Sequence, residues 1–433
     1  MKKNMDLKHE EYLKILDNIS LKELENINIR SILYNDIWFS FNMTYSFIIK
    51  QILSRLFTIY FSISRKNGNS EKNLLFTIIY NRQDHDAYWN IFKEVVGNYQ
   101  EVKMIYNRGK RKINKNFIID IAKFVKIFMV LKHIRLFKSR LWFTLQILNA
   151  IKIKRFIENM NIKCNVLYTF YDGGFEGNIL SQYFKIQGAT TVTLQHGQCL
   201  YRDRTKDRIN QSVILNFISD YCICKGDFAK RQFIKAGVSA DRILPLGNLE
   251  CLKESFKKDM NNQENNNKLF CVFLDTPSYP FYEDSTEKLV NIANDFSKKY
   301  GYKYYLKPHP ADNKMIFKKY INNSYCQKIL EKNYTIDYIK HYVDFSIFHA
   351  SAIYADMLLK KMKSYKLKTD VDFNIVLNER DLFENTNQLI DRVSNWGKLN
   401  LDEKEKYFEI QNHLYSNPNK VKERYLDFIN SLE

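Results

Sequence analysis

Short apolar runs alternate with helix-like segments along most of this chain, and the alternation occurs twice. The first series covers residues 74–246 and includes compact apolar runs at 166–170 and 190–194. The second series begins at residue 269, directly after a polar, Asn-rich segment at 257–268. Strands that alternate with helices pair in parallel, because each helix returns the chain to the same end of the sheet. The pattern therefore predicts two α/β units joined by a linker.

The predicted fold class is α/β, with two Rossmann-like domains facing a central cleft and an extra helical N-terminal region. A chain of 433 residues is long enough for two hydrophobic cores of this kind. Ligands of open parallel sheets bind outside the carboxyl ends of the strands, so we expect the site in the cleft. The predicted segments are a helical region at 1–70, an acceptor domain at 71–256, a linker at 257–268, a nucleotide-donor domain at 269–400, and a C-terminal helix at 401–433 that packs back.

Positive charge dominates the chain, with 67 Lys and Arg residues against 48 Asp and Glu, a formal net charge of +19. Such an excess suits nucleic acid, an anionic membrane surface or a phosphate-rich substrate. The densest basic stretches lie at 108–112 and 123–154, and in the second the cations alternate with large apolar residues. This pattern predicts a basic amphipathic helix on an anionic membrane face, or else a packed helix with a solvated Lys/Arg face.

Seven cysteines are scattered along the chain without metal-site spacing. Their odd number argues against a disulfide framework, and we expect buried apolar thiols and no metal. The charged N-terminus does not resemble a secretory signal, and no apolar run reaches the ~20 residues that a spanning helix needs. We expect a cytoplasmic protein, peripheral on the inner face of the cell membrane.

The sequence Lys307-Pro308-His309-Pro310 ends a predicted strand of the second domain. Proline fixes φ and lacks an N–H group, so this turn presents His309 in a narrow range of directions. His309 can donate a hydrogen bond to a phosphate oxygen, with Lys307 beside it. The alternative is a structural turn whose histidine only contacts backbone.

Hydroxyl residues follow two other strands of the same domain. Ser351 stands where it can cap the helix after the strand at 344–348, and exposed N–H groups at a helix start attract phosphate. Thr276 and Ser278 follow the strand at 269–274 and are candidates for donor phosphate contacts. Taken alone, each is an ordinary strand-to-helix junction.

In the first domain, Gln195-His196-Gly197 follows the strand at 190–194. His196 is a candidate general acid or base, a phosphate donor, or a group that holds the acceptor; a structural histidine is the alternative. Gly197 permits close backbone approach to a ligand, and Gln195 would line the cleft.

A glycine-rich loop containing Asp172 and Glu176 follows the strand at 166–170. Asp172 is a candidate base for an acceptor hydroxyl, with a turn and cap role as an equal alternative, and Glu176 would lie in the cleft. Gly247 and Asn248 close the last strand of the domain, and we expect their loop to face the cleft beside the donor.

Taken in order, these segments resemble the GT-B-type transferases of bacterial surface-polysaccharide synthesis, a group that includes capsule glycosyltransferases, CDP-glycerol glycerophosphotransferases and sialyl- and polysialyltransferases. The resemblance spans residues 166–359 and implies that His309 and Ser351 clamp the phosphates of a donor nucleotide. In such proteins the later serine motif often has a second hydroxyl and a carboxylate that holds a ribose. Here Ala350 and Ala355 occupy those two places and Asp356 follows one residue on, which leaves the donor base open.

The first functional hypothesis is a metal-independent glycosyltransferase without a cofactor. It would move a sugar from a CMP-, CDP- or UDP-linked donor to a growing, lipid-linked surface glycan such as a capsule or lipooligosaccharide. A CDP-alditol phosphotransferase and a UDP-sugar 2-epimerase of the same architecture are alternatives. A basic nucleic-acid-binding protein is a remote one, since no nucleic-acid recognition motif is present and we expect no nucleic-acid partner.

Overall fold

The computed structural model describes most of the chain. The described residues are 2–59, 61–66, 72–79, 83–106, 112–195, 197, 201, 211–252, 268–274, 283–309, 325–331, 334–349, 353–369, 378–409, 414, 416 and 418–432.

The first α/β unit contains a seven-stranded sheet with the order β2-β4-β3-β6-β7-β8-β9. All neighbouring strands are parallel except β2, which pairs antiparallel with β4 at the edge. A short antiparallel pair, β1 and β5, lies apart from this sheet. The strands are β1 Thr58–Ile59, β2 Phe61–Lys66, β3 Asn73–Ile79, β4 Gln100–Tyr106, β5 Lys112–Ile113, β6 Val166–Phe170, β7 Thr190–Leu194, β8 Tyr221–Ile223 and β9 Ile243–Leu244.

The second unit contains a six-stranded sheet with the order β12-β11-β10-β13-β14-β15, and all its neighbours are parallel. Every residue of its central strand β10 is buried, as expected for a strand covered by helices on both faces. The two predicted Rossmann-like domains are therefore confirmed. The strands are β10 Leu269–Leu274, β11 Lys303–Pro308, β12 Cys326–Ile329, β13 Phe345–Phe348, β14 Ser364–Leu367 and β15 Leu382–Phe383.

Helices cover both sheets and form the N-terminal region. In the part of the chain that is described, none is both long and apolar enough to cross a membrane. The helices are α1 Lys2–Asp17, α2 Ile29–Asn42, α3 Tyr45–Phe57, α4 Gln83–Val96, α5 Phe117–Val130, α6 Phe137–Asn159, α7 Phe175–Ile186, α8 Ser212–Leu215, α9 Asp227–Lys235, α10 Glu283–Tyr300, α11 Ile336–Lys340, α12 Ile353–Leu359, α13 Thr386–Gly397, α14 Leu401–Phe408 and α15 Val421–Leu432.

The N-terminal region differs from the prediction of a helical segment over residues 1–70. The helical run ends at Phe57, and residues 61–66 form β2, the antiparallel edge strand of the first sheet. The reason lies in the alternation of apolar and hydroxyl residues over Phe61-Ser62-Ile63-Ser64, which has the period of two typical of strands.

The C-terminal helix α15 packs against the first unit. It contacts α4 and the short helical turn Leu249–Leu252. The guanidinium Nε of Arg424 donates to the carbonyl of Leu246 at 2.8 Å, and the hydroxyl of Tyr425 donates to the carbonyl of Gly247 at 3.2 Å. Buried side chains of both sheets and of α15 belong to one hydrophobic cluster, which includes Tyr168, Phe273 and Tyr425.

This contact places α15 beside Gly247, whose loop the sequence predicts to face the cleft. Gly247 has a φ of +113°, which residues other than glycine rarely adopt. A Cβ placed there would lie 2.8 Å from Cγ2 of Val421. The space beside the glycine is thus filled by α15. Asn248 is fully buried, and its Oδ1 accepts a hydrogen bond from the amide of Glu250. Its Nδ2 has no hydrogen-bond partner in the described part of the chain.

We expect Gly247→Ala to destabilise the protein by about 2–3 kcal/mol, because the alanine combines an unfavourable φ with a clash against α15. Gly188→Ala is the matched control, since Gly188 also has a positive φ, +87°, but its Cβ would meet nothing within 4 Å. Thermal unfolding of the two variants is the measurement. Equal losses of Tm would contradict the packing role of α15.

A buried carboxylate joins α2 to α6 in the core of the N-terminal region. Oδ1 of Asp36 accepts hydrogen bonds from the indole of Trp142 at 2.8 Å and from the amide of Gln146 at 2.7 Å. Burial raises the pKa of Asp36 to about 6, although both hydrogen bonds and the nearby Arg55 oppose the shift. The folded protein therefore holds a proton on Asp36 more tightly than the unfolded chain does.

This shift predicts a pH-dependent effect of Asp36→Asn. Because the folded pKa is raised, ionisation of Asp36 removes stability as the pH rises from about 4 through 6. Asparagine keeps an acceptor oxygen without the charge, so the variant should gain about 3 kcal/mol over wild type at pH 8 and little at pH 4. Scanning calorimetry across this range is the measurement, with the exposed Asp17→Asn as control. A pH-independent difference would contradict the shift.

Candidate functional site

The carboxyl edge of the second sheet brings two histidines close together. Lys307 of β11 and Phe348 of β13 are both in register with Phe273 of the strand between them. His309 and His349 follow one or two residues later, at the ends of β11 and β13. Because neighbouring strands are ~4.8 Å apart, the two backbone positions are separated by about 10 Å. Of the residues predicted to contact phosphate, His309 and Lys307 lie at this edge.

His349 was not singled out by the sequence analysis, although it belongs to the motif before Ser351. It is fully buried, and its Nε2 lies 3.2 Å from Oγ1 of Thr286 on α10. Burial, assisted by the positive charge of Lys366, lowers the pKa of His349 to about 4. The ring is therefore neutral near pH 7. The signal that could have identified it is a histidine directly after an apolar run that forms a strand.

Lys307 and His309 differ in exposure. Lys307 is largely buried, and its ammonium Nζ donates to the carbonyl of Glu331 at 2.6 Å, which ties β11 to the segment after β12. His309 is half-buried at the end of β11. Four predicted site residues lie outside the described residues, so nothing structural is assigned to them: His196, Thr276, Ser278 and Ser351.

The carboxyl edge of the first sheet carries Gln195 and Gly197. Gln195 is buried. Its backbone N–H donates to the carbonyl of Ile223, and its side-chain Oε1 accepts a hydrogen bond from the backbone N–H of Lys225 at 3.0 Å. It therefore joins the ends of β7 and β8. Gly197 has a φ of +70°, and a Cβ there would meet none of the described residues within 4 Å. As far as the described residues extend, the backbone at Gly197 is thus open to close approach.

The carboxylate of Asp172 is buried and binds the backbone of a neighbouring loop. It is 1% exposed, and its Oδ2 accepts hydrogen bonds from the amides of Ile218 at 3.1 Å and Ser219 at 2.7 Å. The pKa of Asp172 is raised, because the effect of burial exceeds the lowering by these hydrogen bonds and by the charge of Arg242. This geometry supports the turn and cap alternative over the acceptor base. Glu176, in the first turn of α7, is also largely buried.

An ion pair connects the two units at these edges. Lys225 follows β8 of the first sheet, and its Nζ lies 3.9 Å from Oδ1 of Asp356 on α12 of the second unit. The same Nζ lies 5.8 Å from the centre of the Tyr88 ring. Burial alone would lower the pKa of Lys225, but Asp356 and Tyr88 outweigh it and raise the pKa, so the side chain stays charged. The carboxyl edges of the two sheets therefore lie within side-chain reach.

Sequence reasoning missed Lys225 and only noted Asp356. Ala355, which stands where the family resemblance places a carboxylate, is 3% exposed and belongs to the hydrophobic cluster shared by the two units. Asp356, the next residue, carries the carboxylate that contacts Lys225 of the first unit. A lysine directly after an apolar strand was the available signal for Lys225.

Comparisons with known proteins identify the fold. No family model matches the sequence, and no curated protein does. Among solved structures, UDP-GlcNAc 2-epimerase from Neisseria meningitidis bound to UDP-GlcNAc has a TM-score of 0.51 at 11% identity, covering 83% of this chain and 99% of that chain. The S. aureus MnaA–UDP co-structure has a TM-score of 0.51 at 9% identity, covering 84% and 98%. The wall teichoic acid polymerase TagF, H548A, has a TM-score of 0.44 at 12% identity, covering 99% and 97%. At such low identity the epimerase similarity is one of fold, and the chain has the predicted GT-B-type fold of two Rossmann-like domains.

Proposed function

We propose that this protein is a glycosyltransferase that binds a nucleotide-activated donor between the carboxyl edges of its two sheets. The observation that carries the proposal is the opposition of these edges, bridged by Lys225 and Asp356 at 3.9 Å. Open parallel sheets bind ligands at this edge, and two facing edges suit a donor on one side and an acceptor on the other.

The chemistry proposed for the second unit is stabilisation of the departing nucleotide. Negative charge develops on the phosphate as the sugar leaves, and preorganised donors in a site of low dielectric stabilise it. His309, half-buried at the end of β11, is the proposed hydrogen-bond donor, and Ser351 is its proposed partner. Lys307, in β11 two residues before His309, contributes a positive charge held in place by the carbonyl of Glu331.

The acceptor is proposed to bind against the first unit, where Gly197 leaves the backbone open. The backbone amides of Ile218 and Ser219 donate to Oδ2 of Asp172, so we assign acceptor activation to His196 instead. The proposed acceptor is a lipid-linked glycan at the inner face of the cell membrane, and the proposed donor carries CMP, CDP or UDP.

A UDP-sugar 2-epimerase is the second candidate, favoured by the fold similarity to the epimerases, which covers more than four fifths of this chain. An epimerase converts a nucleotide sugar without any acceptor. Incubation with UDP-GlcNAc alone, followed by product analysis, separates the two: a transferase leaves the sugar configuration unchanged, whereas a 2-epimer as product would exclude our proposal. A CDP-alditol phosphotransferase would instead consume a CDP-alditol and release CMP.

Nucleotide binding is tested by a thermal-shift panel of CMP, CDP, UDP and GDP. We expect one nucleotide to raise the Tm of wild type, since a ligand at about 100 times its Kd stabilises the folded state by ~2.7 kcal/mol. His309→Ala should lose most of this shift. His341→Ala is the matched control, because His341 lies before β13, near the opposite edge of the same sheet. No shift with any of the four nucleotides, or equal shifts in both variants, would contradict the donor site.

The bridge between the units is tested by a double-mutant cycle of Lys225→Met and Asp356→Asn. The pair is partly buried, so we expect a coupling energy of about 1 kcal/mol and a smaller nucleotide-induced shift in each single variant. The exposed pair Lys368 and Glu384, both in the second unit, is the control, with an expected coupling of a few tenths of a kcal/mol. Additive effects at Lys225 and Asp356 would show that the edges are not coupled through this pair.

A further inference from the structure

Helix α5 exposes an apolar stripe instead of burying it. Ile118, Val125 and Met129, at positions i, i+7 and i+11, are 69%, 55% and 61% exposed. The opposite side of the helix carries the buried residues Asp120 and Ile127. A surface helix normally places charged or polar residues on its outer face, so an apolar outer face indicates a further binding partner.

Helix α3 continues the same surface. Tyr45, Ile49, Leu53 and Phe57 follow one another at intervals of four residues, and each is between 43% and 52% exposed. The ring of Phe57, at the end of α3, lies 5.6 Å from the ring of Phe117, at the start of α5. The two stripes therefore join, and we call them together the α3–α5 face.

Basic residues predominate on helix α5 and in the segment that follows it. Residues 115–140 contain seven Lys and Arg residues and one acidic residue, Asp120. The carboxylate of Asp120 is buried and lies 2.6 Å from Nζ of Lys152, so it does not offset the exposed cations. On α3, Lys50 is exposed next to Ile49. An apolar surface with a cationic border has the chemistry of an interfacial membrane site.

We propose that the α3–α5 face binds the surface of an anionic lipid bilayer, with its apolar side chains among the acyl chains and its cations at the headgroups. A second copy of the chain would place two cationic borders against each other, which charge repulsion opposes. Nucleic acid would satisfy the cations but leave the aliphatic side chains without an apolar partner. A bilayer with anionic headgroups satisfies both parts of the surface.

Membrane binding by the α3–α5 face does not depend on the proposed function. Only its role in bringing the enzyme to its acceptor rests on that function. Helix α5 packs on α6, whose side chains share one hydrophobic cluster with strands β3, β4 and β6 of the first sheet. Binding through the α3–α5 face would thus hold the proposed acceptor unit at the membrane, where a lipid-linked glycan is presented.

The test is flotation of the purified full-length protein with two kinds of vesicle, one of phosphatidylcholine alone and one of phosphatidylcholine mixed with anionic phosphatidylglycerol, which gives the surface a negative potential. We expect wild type to bind the anionic vesicles and to bind neutral ones weakly.

The double variant Val125→Gln/Met129→Gln should bind anionic vesicles at least about tenfold more weakly, because it removes two inserted apolar side chains. Lys50→Gln/Lys132→Gln should lose about tenfold or more and become less sensitive to salt.

Matched controls use exposed residues elsewhere on the protein. Ile186→Gln/Ile234→Gln removes two apolar side chains that are 44% and 43% exposed, and Lys235→Gln/Lys298→Gln removes two exposed cations. Both controls should bind vesicles like wild type. Equal binding by Val125→Gln/Met129→Gln and its control would overturn the proposal. So would a wild-type dimer in light scattering that this variant converts to a monomer, since the face would then bind a second copy.

Nucleotide-induced thermal shifts of the same variants keep the two proposals separate. Val125 and Met129 lie on α5, which packs on α6, and neither belongs to the proposed nucleotide site, so the shift should be unchanged in their variant. Loss of vesicle binding with a normal nucleotide shift supports the membrane surface alone. Vesicle binding by a protein that no nucleotide stabilises would instead support this surface while contradicting the donor site.

Discussion

Parallel pairing within each sheet is the constraint on which the site depends. In a parallel sheet all carboxyl ends lie at one edge, so residues distant in sequence meet there without any further specification. The register of β11, β10 and β13 brings His309 and His349 to this edge, although a helix and a further strand, α11 and β12, lie between them in the chain. Helix α15 and the hydrophobic cluster that it shares with both sheets then join the second unit to the first.

The regular part of this fold was predictable because its signals are local. The apolar runs at 166–170, 190–194 and 269–274 coincide with β6, β7 and β10, each a strand buried on both faces. The strand β2 was missed because only four residues, Phe61 to Ser64, carry its alternation, and they follow a long helical pattern. A short edge strand gains much of its stability from a partner, here β4, which the sequence does not identify.

The candidate site was only partly predictable, because its chemistry depends on contacts distant in sequence. Asp172 has the residue type and position of a base, yet the amides of Ile218 and Ser219, which follow β7 and α8 much later in the chain, accommodate its carboxylate. Gly247 has the loop position of a ligand contact, yet α15 occupies the space beside it. Lys225 had no motif at all and gains its significance from Asp356 of the other unit. In each case the role of the residue depends on a contact with a residue distant in sequence, which no local pattern specifies.

Charge and apolar exposure give the molecule two different cationic surfaces. At the sheet edges, Lys225 is partly buried, Lys307 is largely buried, and each has a fixed partner, which suits a small anionic ligand held in one orientation. On the α3–α5 face the cations are exposed and lie beside aliphatic side chains, which suits a fluid, extended anionic surface. A net charge of +19 does not distinguish these cases, but burial does, because a desolvated cation selects a ligand whereas a solvated one responds to the summed field. The same composition therefore provides two different surfaces, the one proposed for a nucleotide and the one proposed for a bilayer.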